Sequence, residues 1–123
     1  MIKRKVFVSY DVEKDEKLKE VFLKILERAD SPFEVVGHSV KLTEPVNNWE
    51  YNTGKVVMKA EIILVLLGPT THKAPGVKKE LEAAFDEEIP SIQIVGYKNV
   101  TLKPVPGAGQ MIQWSWEQLK KMV

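Results

Sequence analysis

The chain has 123 residues, 44% of them hydrophobic and 28% charged, which suits one domain around one core and is too short for two ordinary ones. Lys and Arg number 18 and Asp and Glu 17, a formal net charge of +1, so no charge excess points to nucleic acid or an anionic membrane as partner. There is no cysteine, which excludes disulfides, thiolate metal sites and cysteine nucleophiles.

The lack of cysteine also suits a reducing cytoplasm, the location expected here. The start, Met1-Ile2-Lys3-Arg4-Lys5, is basic, but only Val6-Phe7-Val8 follows before Ser9 and Tyr10. That apolar run is too short for a signal peptide. No segment approaches the roughly 20 apolar residues that cross a bilayer.

Lys5 to Tyr10 (KVFVSY) is short, β-branched and aromatic, and predicts a buried strand. From Asp15 to Arg28 the apolar residues Leu18, Val21, Phe22, Ile25 and Leu26 recur at helical spacing, with Lys and Glu opposite. Asp30-Ser31-Pro32 breaks that helix. Phe33 to Ser39 predicts a second strand, weakened by Gly37. A helix from about Trp49 to Ala60 follows, capped by Asn47 or Asn48 and weakened by Gly54.

Ile62 to Leu67 (IILVLL) is apolar at every position, as a central parallel strand covered on both faces requires. Gly68 to Ala74 reads as a loop, and Pro75 suits the first turn of a helix running to about Glu87. Ile92 to Val95 is a fourth strand, and Lys98 to Gly109, with its prolines and glycines, an irregular loop. Met111 to Trp114 predicts a short fifth strand, and Ser115-Trp116-Glu117-Gln118 a capping box that opens a last helix.

Strand and helix therefore alternate throughout, which predicts a single α/β domain, residues 1–123, with a flavodoxin-like parallel sheet of order 2-1-3-4-5 between two helical layers. In that order a crevice opens where strand 1 meets strand 3, outside their carboxyl ends. The loops expected to line it are Tyr10 to Lys14 and Gly68 to Ala74.

The usual occupants of such a crevice can be tested in turn. Strand 3 ends Leu66-Leu67-Gly68 without an aspartate, which disfavours a phosphoacceptor site. The turn Ser9-Tyr10-Asp11-Val12-Glu13 carries two carboxylates that would repel a flavin phosphate. No Gly-rich dinucleotide fingerprint or Walker loop is present. His38 and His72 lie in different elements without an acidic ligand cluster, so no metal site is expected; His38 reads as a partly buried strand end and His72 as a solvated loop residue. What remains near the crevice is Ser9 and Tyr10 at the end of strand 1, Ser39 at the end of strand 2, Thr70, Thr71 and His72 after strand 3, and Glu80 about one turn into the next helix. Glu80 has two readings from the residues alone: a carboxylate turned back to the opening, or one more member of a charged surface with Lys78, Lys79 and Glu82.

Taken in order, these pieces look like a known pattern. Lys5-Val6-Phe7-Val8-Ser9-Tyr10 before an acidic helix start resembles the first box of TIR (Toll/interleukin-1 receptor) domains. Phe33 to Ser39 with Trp49 is similar to the second-strand region of the TIR-like proteins of the Thoeris antiphage system. Ala60 to Thr71 resembles their third strand and loop, and Met111 to Trp116 their closing strand and helix. Gly76-Val77-Lys78-Lys79-Glu80 falls where the family carries an aromatic residue, a small or apolar one, two variable positions and its catalytic glutamate; the aromatic is replaced by Gly76.

The resemblance implies cleavage of the nicotinamide–ribose bond of NAD+, to ADP-ribose or a cyclic signal, with NAD+ as substrate and no cofactor. It assigns Glu80 the catalytic role, and contacts to ribose or phosphate to Ser9 and Tyr10. Ser39, Thr70, Thr71 and His72 complete the expected substrate-binding set. A homo-oligomer and a separate effector protein are the further partners it suggests. Two alternatives stay open: a non-catalytic TIR-like interaction module, to which Gly76 lends weight, and a nucleoside- or nucleotide-processing relative of the same topology.

Overall fold

The computed structural model describes residues 3–40, 54–97, 101–115 and 117. Five strands form one parallel sheet in the order β2-β1-β3-β4-β5. They are β1 (Arg4–Ser9), β2 (Phe33–His38), β3 (Ile62–Leu67), β4 (Ser91–Val95) and β5 (Met111–Gln113). Between them lie α1 (Glu16–Leu26), a helical stretch α2 at residues 54–57, and α3 (Pro75–Asp86). The expected flavodoxin-like α/β order is the one observed, with element ends within about two residues of the sequence reading except that α2 ends at residue 57, short of the expected Ala60. One detail differs: the loop after β3 contains a short 3-10 turn, Thr71–Lys73. The cap expected at Asn47 or Asn48, Trp49, and most of the closing helix lie outside the described residues.

The period of two along each strand divides the core. Val6, Val8, Ile62, Leu64, Leu66, Ile92 and Ile94 face α1, whose Phe22 and Leu26 are buried against them. The alternate residues Phe7, Ile63, Val65 and Leu67 face Val57 of α2 and Val77 and Ala84 of α3. All six residues of β3 are buried, because helices cover both faces; burial of each large side chain contributes about 1.5–3 kcal/mol.

Gly37 is where the β1–β2 register slips. The side chain of Val56 packs so closely over it that a Cβ there would meet Val56 Cγ1 at 2.3 Å. The glycine that weakens the strand in sequence terms thus admits α2 to the sheet.

Gln93, on buried β4, ties down the irregular loop. Its amide donates to the carbonyls of Gly109 (3.0 Å) and Val105 (3.3 Å), and its carbonyl accepts from the Val105 N–H (2.6 Å). A polar residue in a central strand is tolerated because its amide bonds replace those it would make to water.

Candidate functional site

Pro75 opens α3 at its first position, where a missing N–H costs nothing. From there the buried face of the helix is Val77, Glu80 and Ala84. The 3.6-residue period accounts for the spacing, but the middle member is a carboxylate with only 1% of its surface exposed. It points over the carboxyl ends of β1 and β2. Glu80 Oε1 accepts the hydroxyl of Ser9 at 2.8 Å and that of Ser39 at 2.5 Å. The backbone N–H of Ser39 bonds to the Val8 carbonyl (3.0 Å), and its Oγ also accepts the N–H of Tyr10 (3.1 Å). The two strand ends and the helix are thereby locked around one oxygen.

Burial pushes the Glu80 carboxyl up to about 7, against the opposing pull of the hydroxyls of Ser39 and Ser9. A group with that value exchanges a proton near neutrality, as an acid, a base or a switchable negative charge. Beside it opens a cavity of about 370 Å3, lined by Tyr10 to Glu13, by Ser39 and Val40, and by Ala74 to Val77.

Tyr10 lines this cavity, and its hydroxyl donates to Glu16 Oε2 (2.8 Å). Burial, then Glu16, raises the phenol's pKa, so it stays a protonated donor. Lys19 lies over the Tyr10 ring at 5.7 Å and pairs with Glu16 at 2.7 Å.

A second polar cluster borders the crevice on the side of β3. Thr70 Oγ1 donates to Asp11 Oδ2 (2.6 Å), and the Glu13 N–H bonds to Asp11 Oδ1 (3.0 Å). Asp15, just before α1, lies against Gly68 so tightly that a Cβ there would meet its Oδ2 at 2.3 Å. Its Oδ1 accepts the Tyr97 hydroxyl at 2.6 Å, and burial raises its pKa above the ordinary carboxylate value. The cavity is lined, as expected, by the loop after β1 (Tyr10 to Glu13) and by Ala74 at the end of the loop after β3, and it extends to Ser39 and Val40 after β2.

Of the residues singled out from the sequence, the structure gathers Ser9, Tyr10, Ser39 and Glu80. Glu80 is not part of the charged surface formed by Lys78, Lys79 and Glu82. Thr70 stands behind Asp11. Thr71 is fully buried, with its hydroxyl directed to the backbone of Gly68 and Leu66. His72 is partly buried with Nδ1 unpartnered, not the solvated loop residue expected. Neither Thr71 nor His72 is among the described residues that line the cavity. His38 is a partly buried strand end, as expected, with Nδ1 2.8 Å from the Ser39 carbonyl oxygen. Sequence reasoning gave Asp11 no positive role; its one signal was the Asp11/Asp15 spacing after a strand, which places both at the sheet's carboxyl edge.

Among the described residues no group of three or more His, Asp or Glu is arranged to hold a metal, and no helix is long and apolar enough to cross a membrane. No protein-family model matches the chain, and no curated protein matches it.

Proposed function

We propose that this chain is a TIR-like enzyme that cleaves the nicotinamide–ribose bond of NAD+. The observation that carries the reading is the Glu80 carboxylate, buried at the sheet's carboxyl edge, held by Ser9 and Ser39, and beside a cavity.

In this reaction the C1′–N bond breaks and its electron pair passes to the pyridinium nitrogen, so nicotinamide leaves neutral and needs no general acid. The ribose is left as an oxocarbenium-like cation. An ionised Glu80 in a water-poor wall stabilises that charge. Water then adds to C1′ to give ADP-ribose, with its proton passing to the carboxylate or to solvent; capture by the adenine instead gives a cyclic product. Ser9 and Ser39 act on Glu80: by donating to Oε1 they favour its ionised form and hold its orientation.

The test is nicotinamide release from NAD+, followed by mass spectrometry of the products, for the natural protein and for Glu80→Gln. Glu80→Gln should lower the rate by about 10²–10³-fold while the protein stays folded. Equal rates in the two proteins, or no turnover by the natural protein at low or high concentration, would refute the reading. Turnover at high concentration alone identifies a self-assembled enzyme.

A further inference from the structure

The charge of the cavity narrows the substrate class, on the basis of the function proposed above. Glu80 is the floor, Asp11 is held in the wall by Thr70, and Glu13 is exposed at the rim. No Lys, Arg or His is among the described residues that line it. Among the described residues that line it, the feature favouring an anion is the start of α3. A helix amino terminus carries roughly half a positive charge, and Pro75 at its first position removes one of the N–H groups that would meet a phosphate. Half a charge does not offset the carboxylates of Asp11 and Glu13, to which Glu80 adds its own charge when ionised. The volume, about 370 Å3, is suited to one base and one sugar rather than to a whole dinucleotide.

We infer that the cavity selects the cationic, phosphate-free end of its substrate, a pyridinium N-riboside, and leaves any phosphate outside. The pyridinium is drawn in by the same carboxylates that repel a phosphate dianion on the ribose. In NAD+ the pyrophosphate is a diester, with less charge on each phosphate, and it leads out of the cavity. Nicotinamide mononucleotide, whose terminal phosphate sits one carbon from the ribose ring, is the substrate the cavity should reject.

The experiment measures kcat/KM for nicotinamide release from nicotinamide riboside, nicotinamide mononucleotide and NAD+. The riboside should be cleaved at least as efficiently as NAD+, and the mononucleotide about tenfold less well than the riboside. Glu13→Lys, at an exposed position, should bring the mononucleotide to within about threefold of the riboside by removing one repulsive charge and adding an attractive one. Asp11→Asn should act in the same direction. Inosine, a neutral riboside, should not be turned over. A protein that releases nicotinamide from NAD+ but prefers the mononucleotide, with a preference untouched by Glu13→Lys, overturns this inference alone. Release of nicotinamide from none of the three overturns the underlying reading with it.

Discussion

Replacing Glu80 by glutamine should make the protein more stable at alkaline pH and abolish part of its pH dependence. In the folded protein burial holds the Glu80 proton up to about 7, whereas an ordinary glutamate releases it at 4.5. Below 4.5 the group is protonated in both folded and unfolded chains and contributes nothing. As pH rises from 4.5, the unfolded chain ionises first, so folding is progressively disfavoured, and the loss is complete just above 7. That gap corresponds to about 3 kcal/mol. Glutamine keeps the shape and an oxygen to accept the Ser9 and Ser39 hydroxyls but does not titrate. Its constant effect on packing cancels when the difference between the two proteins is followed with pH. Asp15, whose pKa is also raised, belongs to the separate cluster with Tyr97 and cancels likewise. Urea unfolding at intervals from pH 4.5 to 8.5 should show the variant gaining about 3 kcal/mol on the natural protein across the range, a midpoint gain of roughly 1–3 M. Thermal midpoints should diverge by on the order of 10 °C. A difference that stays flat with pH would refute the claim that Glu80 is buried and proton-holding in the folded state.

Under the proposed function, the rate of NAD+ cleavage should rise with pH through about 7, since only the ionised carboxylate would stabilise the sugar cation; Ser39→Ala removes a bond to that form, so its acidic limb should lie at higher pH in a pH–kcat profile. Gly68→Ala should destabilise the fold by about 1–3 kcal/mol, measured by denaturant unfolding, because the new methyl would meet the Asp15 carboxylate. Tyr97→Phe withdraws the hydroxyl from Asp15 Oδ1 and raises that carboxyl further, so it should cost more stability at pH 7 than at pH 4. Gln93→Leu leaves the Val105 N–H and the Val105 and Gly109 carbonyls without their side-chain partner; it should cost about 1–3 kcal/mol and speed amide exchange at Val105.

Local pattern was enough for the architecture. The unbroken apolar run of β3, the helical periods before and after it, and the breakers at Pro32, Gly68 and Pro75 specify alternating strand and helix, and right-handed crossovers leave few ways to assemble them. The same periodicity puts residues 77, 80 and 84 on one side of α3. It does not say that a carboxylate on that side is buried, because Lys78, Lys79 and Glu82 around it read as an ordinary solvated surface. Burial of Glu80 depends on two hydroxyls that lie 71 and 41 residues away in the chain, brought together only when β1, β2 and α3 pack. The polar cluster beside the cavity has the same origin: Thr70 reaches Asp11 and Tyr97 reaches Asp15 through bonds spanning 59 and 82 residues. Short-range spacing thus sets which elements form and which faces they bury, whereas the proton affinity of a site follows from what surrounds it in space, which only the assembled sheet determines.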